Sequence, residues 1–225
     1  MNRLMICIVM VLGVSANIFG AVGCSLNDPD RDIKRLFPDS TNYKTEFISI
    51  EERGGLKLAD EIQAKLGDKF EPVYETIDVS YALYTVLKND KLVGYVHGVN
   101  QKGRFGGMQL VITTDTNGII MDFYYQRLSS PEAKKFRDPN FTKQFIGLSL
   151  ADFYRHKPQE QIKDPTENSN SDFKATLRGL FKNLILMDTF KLNNKYDAVY
   201  NEAKQQKPSD VNEAQKNEKK DPNSN

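Results

Sequence analysis

The chain has 225 residues, 31 Lys and Arg against 30 Asp and Glu, and a formal net charge of +1. This length is enough for one well-packed domain with tails. A charge balance this even gives no long-range field to attract nucleic acid, and no basic patch is visible in the sequence. A nucleic-acid partner is therefore not expected.

Residues 1–23 have the layout of a secretory signal peptide. Arg3 supplies a basic start, Leu4–Val14 is apolar and uncharged, and small residues precede Cys24. A membrane-spanning helix needs about 20 apolar residues, a length reached here only by including polar residues and glycines. A cleaved signal is therefore favoured over a retained anchor, and the protein is expected to be extracytoplasmic.

The end of this segment, AVGC at residues 21–24, resembles a bacterial lipobox, although Ala21 stands where leucine is usual. Ordinary cleavage after Gly23 remains an alternative. Lipidation is favoured because Cys24 would otherwise be an unpaired thiol in an oxidising compartment, since Cys7 leaves with the signal. We expect a lipid on Cys24 to anchor the protein to a membrane, facing the periplasm or the cell exterior.

Two helices are predicted before the first strand. Asp28 and Pro29 suit the cap and first turn of a short helix that Pro38 ends. A second helix is predicted over residues 56–66, where apolar residues share one face and Gly67 supplies a stop.

The middle of the chain is predicted to be β-structure. Four segments have strand-like composition and are joined by short turns rich in Gly, Asn and Asp: residues 82–87, 92–99, 108–114 and 119–126. Consecutive strands with short links favour an antiparallel meander. With helices on either side in the chain, the predicted class is α+β, an antiparallel sheet flanked by helices.

Helical patterns return after the strands. The strongest covers Phe173–Met187, with a broad apolar stripe, and weaker ones cover residues 140–147, 150–156 and 196–205.

The predicted organisation therefore has four parts. They are a signal peptide (1–23), an N-terminal segment (24–55), a main domain (56–200) and a disordered polar tail (201–225).

Motifs for hydrolysis and nucleotide binding are absent from the sequence. It contains no HExxH, GxSxG, GxGxxG or P-loop pattern. The two histidines, His97 and His156, are interpreted as structural. Tyr124 and Tyr125 adjoin in a predicted strand and so face opposite sides, one toward the core and one free to stack on a planar ligand.

Residues 92–150 carry several motifs in a fixed order. They are a Gly-Tyr strand, a glycine turn, a strand ending in Asp-x-x-Gly-Ile-Ile, a Pro-containing loop and Phe-x-x-Gln-Phe-x-Gly: Gly94-Tyr95, Gly106-Gly107, Asp115–Ile120, Pro131 and Phe141–Gly147. In this order they resemble the FMN-binding domain family. With LFPDS at residues 36–40 as its entry, the resemblance covers about residues 36–187.

The family includes extracytoplasmic subunits of membrane electron-transport complexes, among them the sodium-pumping quinone reductase, and single-domain lipoproteins. The resemblance implies an FMN-binding-domain-like fold with FMN at the edge of the sheet. It also implies electron transfer outside the cytoplasm, together with a membrane-bound redox complex. The flavin would then supply the chemistry, and the protein its orientation and electrostatics.

Both family motifs that touch the flavin are altered here. The Glu-Thr-Pro-Gly loop reads Ser129-Ser130-Pro131-Glu132, which loses the acid and the glycine from their places. The Ser-Gly-Ala-Thr-x-Ser motif, whose threonine carries covalent FMN in some members, reads TENSNS at residues 166–171. Ser169 falls on the attachment threonine, and Glu167 places bulk and negative charge where the glycine lets amides approach a phosphate. Covalent attachment is therefore not expected.

Non-covalent FMN remains the cofactor that the resemblance implies. Its candidate contacts are Ser169, Thr166, Ser171, Ser130 and Gly107. The same stretch is also explained as an ordinary helix start, with Ser171 or Asn170 as the cap and Asp172 in the first turn.

Three functions follow. The first is an electron-transfer module or accessory subunit of a membrane redox complex. The second is a non-flavin binding or scaffold lipoprotein that keeps the fold and has lost the cofactor. The third is a binder of another planar ligand such as heme, using His97 and either Tyr124 or Tyr125, although no CxxCH offers covalent heme attachment.

Overall fold

A computed structural model describes residues 25–206 of the chain. The predicted signal peptide, Cys24 and residues 207–225 of the predicted polar tail lie outside the described residues.

A five-stranded antiparallel sheet forms the centre of the described residues, and the sequence predicts its antiparallel meander and four of its five strands. The strands lie in chain order: β1 (Asn42–Ile48), β2 (Tyr81–Lys88), β3 (Lys91–Gly103), β4 (Gly106–Thr114) and β5 (Ile120–Leu128). The four predicted strands are confirmed. Asn89 and Asp90, which join β2 to β3, both have positive φ, as the tight hairpin turn requires.

Nine helical segments surround the sheet within residues 25–206. They are α1 (Pro29–Leu36), α2 (Ile50–Leu66), α3 (Ala133–Phe136), α4 (Pro139–Thr142), a 3-10 turn (Lys143–Phe145), α5 (Leu150–Tyr154), α6 (Lys157–Gln161), α7 (Asn170–Lys191) and α8 (Asp197–Gln206). The α+β class is therefore confirmed.

The sequence missed one strand and misplaced some helix ends. β1 was not predicted, because it is an edge strand whose side chains are mostly exposed. α2 begins at Ile50, behind a capping box formed by Ser49 and Glu52, and kinks at Gly55 (φ 59°), so the predicted division between residues 55 and 56 falls inside this helix. α8 confirms the helix predicted over residues 196–205, so the predicted start of the disordered tail at residue 201 falls inside this helix.

The sheet is covered on both faces. α7 packs across β3 and β4 on one face, and the close approach occurs at Gly179, where a Cβ atom would lie 2.2 Å from Leu110 Cδ1. On the other face, Ile33 and Phe37 from the α1 region share a second core with Val96 and other buried side chains of the sheet. α7 and the α1 region therefore lie on opposite faces of the sheet.

A buried ionic network holds the segment before β2 against α7. Both Glu75 carboxylate oxygens accept hydrogen bonds from the Arg178 guanidinium, at 2.9 and 3.0 Å. Glu75 also forms an ion pair with Lys182, whose ammonium donates to the Asn100 carbonyl at 2.6 Å. The Glu75 and Lys182 side chains are 0% and 1% exposed. Local sequence patterns give no sign of this carboxylate, because its partners lie about a hundred residues away in the chain.

Opposing effects act on the pKa of Glu75. Burial raises it, but the hydrogen bonds from Arg178 and the charge of Lys182 outweigh burial, so the pKa lies below its ordinary value. The carboxylate is therefore charged and fully paired in the folded protein.

We predict that Glu75→Gln lowers the free energy of unfolding by about 3 to 5 kcal/mol, because it leaves the buried Lys182 without its anion and removes one of the two carboxylates that pair with Arg178. Urea denaturation at neutral pH measures this. The loss should shrink as the pH falls from 4.5, the ordinary pKa of the carboxyl group, through its lower folded-state value, because wild-type Glu75 is then neutralised as well.

The matched control is Glu71→Gln, which removes a carboxylate of the same segment that pairs with Lys102 at a more exposed position. It should change stability by no more than about 0.5 kcal/mol. Equal losses in the two variants would contradict the structural role given to Glu75.

Candidate functional site

Four segments that carry the predicted site residues meet at one end of the sheet. We call them together the α7-start site: the β3–β4 turn (104–107), the loop after β5 (129–132), the loop 166–169 and the first turn of α7 (170–172). The Asp172 carboxylate accepts a hydrogen bond from the Arg104 amide at 2.7 Å. The Glu132 carboxylate accepts one from the Asn168 amide at 3.3 Å. The two altered motifs are thus neighbours in space.

Glu132 occupies the anion-binding groups of this site. Its carboxylate accepts hydrogen bonds from Lys135 Nζ at 2.9 Å, from the Asn168 amide and from the Ser169 hydroxyl. These three donors, Lys135 first, hold the pKa of Glu132 below its ordinary value. A charged carboxylate of the protein therefore lies where the amide and hydroxyl groups of the loop would meet a phosphate.

A second carboxylate lies at the same helix start. Asp172 is fully buried, and one of its oxygens is held by the Arg104 amide. Negative charge is favourable at the positive end of a helix, so Asp172 and Glu132 stabilise α7 without any ligand. Two carboxylates would repel the dianionic phosphate of FMN, and the residues of this site do not fit that group.

The predicted contact residues have other partners or positions. Ser169 is only 2% exposed, so its hydroxyl is not open to an attaching enzyme. The hydroxyl and amide of Thr166 both donate to Asp164, at 2.7 and 2.9 Å. Ser171 is exposed on the first turn of α7.

The last two candidates are the residues nearest the sheet. The Ser130 carbonyl and hydroxyl accept hydrogen bonds from the amides of its own loop. Gly107 lies in β4, where an added Cβ would lie 3.3 Å from the Tyr74 ring. These contacts do not bring Ser130 and Gly107 to a shared ligand position.

The sequence prediction named the wrong residue as the N-cap of α7. Ser169 occupies the N-cap position without a side-chain cap bond, and neither Asn170 nor Ser171 is the cap. Asp172 lies in the first turn, as predicted. The helix start is stabilised by Glu132, which comes from a distant part of the chain and was not identified from local spacing.

Of the residues proposed for heme, His97 and Tyr125 are buried under α7, and Tyr124 lies on the opposite face of the sheet. His97 is fully buried, and burial lowers its pKa to about 4. Its Nδ1 lies 2.7 Å from Asn183 Oδ1. Tyr125 is a core residue on the α7 face, with its hydroxyl 2.9 Å from that of Thr176, whereas Tyr124 packs on the α1 face under Arg35. These positions do not form a heme site.

An aromatic cleft of about 210 Å³ lies away from the α7-start site, between α2, α5, α7 and α8. Phe153 stacks on Phe181, and Tyr154 meets both Phe181 and Tyr200. Its rim carries Lys204 and other basic residues, and none of the described residues that line it is acidic. The cleft offers an aromatic, apolar surface between these helices.

Two comparisons with known proteins found no match. No protein-family model matches the chain, and no curated protein matches it. The likeness to the FMN-binding domain family therefore remains a prediction from the motifs.

The described residues contain neither a membrane-spanning helix nor a metal-binding cluster. Within residues 25–206, no helix combines the length and apolar character needed to cross a membrane. No group of three His, Cys, Asp or Glu side chains in that range is placed to hold a metal ion.

We predict that Ser169→Ala raises the pKa of Glu132 toward its ordinary value, because one donor to the charged carboxylate is lost. A carboxyl ¹³C NMR titration measures that pKa directly. Ser171→Ala, two residues away on the exposed side, should leave it unchanged. An unaltered Glu132 pKa in Ser169→Ala would show that the carboxylate does not occupy the loop.

Proposed function

We propose that this protein is an extracytoplasmic, membrane-anchored lipoprotein that acts by binding and assembly, without flavin at the α7-start site. Its partner would be a membrane-bound complex of the electron-transport class that the sequence resemblance implies. This role is the second of the three functions given above, in which the protein keeps the fold and has lost the cofactor.

The contact of Glu132 with the loop 166–169 carries this proposal. The segments that would hold FMN come together, yet their amide and hydroxyl donors already serve a carboxylate of the protein. If a phosphate displaced the Glu132 carboxylate from these donors, the phosphate dianion would lie beside the carboxylates of Glu132 and Asp172. Like charges this close to one another disfavour binding of the phosphate.

Support for a binding role comes from elsewhere on the molecule. The aromatic cleft beneath α8 offers an apolar surface that has no role in the α7-start site. The lipobox-like sequence at residues 21–24 supports membrane attachment through Cys24.

We predict that the chain secreted by a flavin-sufficient host with a flavin-attaching enzyme is colourless. Its mass after denaturation should show no added FMN, and it should not bind FMN added later. Visible absorption, intact mass and equilibrium dialysis measure these three results. A flavin spectrum would contradict the proposal and favour electron transfer, and an added FMN mass would also show covalent attachment.

A variant tests the stated cause. Glu132→Gly removes the carboxylate from the loop and should increase FMN affinity by about tenfold, because the like charge beside the phosphate is gone. Glu132→Asp retains the negative charge and serves as the control, with no gain. Equal affinities for the two variants would mean that Glu132 does not exclude the phosphate.

We also predict that Cys24→Ala releases the protein from membranes, because the variant has no thiol for acylation. Cell fractionation measures this, and a carbonate wash of the wild-type membranes distinguishes a lipid anchor from peripheral attachment. A variant that still fractionates with membranes would contradict the lipid anchor.

A further inference from the structure

The two edges of the sheet differ in how they are covered. On β5, the Ile120 amide donates to the Leu148 carbonyl at 2.8 Å, and the Tyr125 carbonyl accepts a hydrogen bond from the Arg137 guanidinium at 2.6 Å. On β1, the opposite edge, no strand within residues 25–206 pairs with the outer side. An open row of N–H and C=O groups is a template on which another strand can pair.

The backbone groups of three β1 residues point to this open side. The Tyr43 amide donates to Asn42 Oδ1 at 2.8 Å, so it is directed away from β2. Because backbone groups alternate in direction along a strand, those of Thr45 and Phe47 point the same way. Thr45 is exposed and Phe47 is 62% exposed, so no side chain of the described residues blocks the approach of a strand here.

One face of β1 carries two opposite charges. Glu46 forms an ion pair with Lys191 near the end of α7, and side chains alternate along a strand, so Lys44 lies on the same face. Lys44 is exposed and forms no ion pair with any residue in the range 25–206. An unpaired cation therefore stands two residues from a carboxylate on this edge strand.

The other face of β1 carries two aromatic rings. Tyr43 lies on the α1 face, 6.0 Å from the ring centroid of Tyr84. Phe47 lies on the same face by alternation, and its partner on β2 is Ala82, which is too small to cover the ring. The Phe47 ring thus has no large cross-strand neighbour on β2.

The sequence Tyr-Lys-Thr-Glu-Phe at residues 43–47 is complementary to itself in antiparallel pairing. If a second copy is aligned about Thr45, Lys44 lies opposite Glu46 of that copy, and Tyr43 lies opposite its Phe47. Opposite-charge and aromatic cross-strand pairs both stabilise a sheet. The neighbouring registers, centred on Lys44 or on Glu46, would place like charges directly opposite each other. The charges therefore select a single register.

We propose that β1 is a homodimer interface, in which the β1 strands of two copies pair antiparallel about a twofold axis at Thr45 and join their sheets. The same surface of each copy takes part, as in other twofold-symmetric dimers. Glu46 then lies between Lys191 of its own chain and Lys44 of the second copy. This inference goes beyond the function proposed above and depends on neither the flavin nor the lipid anchor.

Charge reversal tests the interface. Sedimentation velocity over a concentration series is measured on the secreted chain carrying Cys24→Ala, which keeps acyl chains out of the measurement. Lys44→Glu and Glu46→Lys should each raise the dimer dissociation constant roughly tenfold, because like charges replace both opposite-charge pairs. The matched control is Lys174→Glu, the same reversal at an exposed position near the other end of α7. It should leave the dissociation constant unchanged.

Mixing the two variants separates pairing from any damage to the fold. In a mixed dimer, both glutamates of the Lys44→Glu chain lie opposite both lysines of the Glu46→Lys chain, so an equimolar mixture should dimerise where each variant alone does not. Lys191→Gln removes the intrachain partner of Glu46 and should leave the dimer intact. A wild-type chain that stays monomeric throughout the series, or a mixture that does so, would overturn the proposal.

A cysteine placed on the axis tests the register. Directly opposite residues of a hydrogen-bonded antiparallel pair have Cα atoms about 5.5 Å apart, within the range that a disulfide spans. Under mild oxidation, Thr45→Cys in the same Cys24→Ala chain should therefore form a disulfide-linked dimer. Asn42→Cys, at an exposed position of β1 away from the axis, should remain largely unlinked. Equal linking of the two variants would reject the register centred on Thr45.

Discussion

The packing of α7 across the sheet is the constraint on which the other features depend. Gly179 permits the helix to approach Leu110, and the carboxylate of Glu75 lies between Lys182 and Arg178 on the same helix. These contacts fix α7 along β3 and β4. They also determine where the helix begins, and that position brings Asp172 to the amide of the β3–β4 turn.

The α7-start site shows how one side chain can change the chemistry of a helix start. Amide and hydroxyl donors at the start of a helix form a general anion site. In this chain the anion is Glu132, which reaches the Asn168 amide from the loop after β5. The site therefore stabilises the protein by joining two loops, and the cost of desolvating a further anion there is not offset by free donors.

The opposite face of the sheet has a separate role. α1 and the residues before it cover Tyr84 and Val96, and they hold the start of the described chain against Gln126. This attachment and the α7-start site lie toward the same end of the sheet. The aromatic cleft beneath α8 lies between other helices, away from the α7-start site.

Local sequence determined much of this protein: the four strands from β2 to β5, the α+β class and the long helix α7 follow from short-range periodicity and turn residues. The resemblance to the FMN-binding domain family, which stays a prediction, also implied that the two altered motifs belong to one site. Only the tertiary structure decided that β1 completes the sheet, that Glu75 is paired with Lys182, and that Glu132 occupies the loop of Ser169. The physical reason is that these features depend on partners distant in the chain, whose meeting is set by packing and not by local propensity.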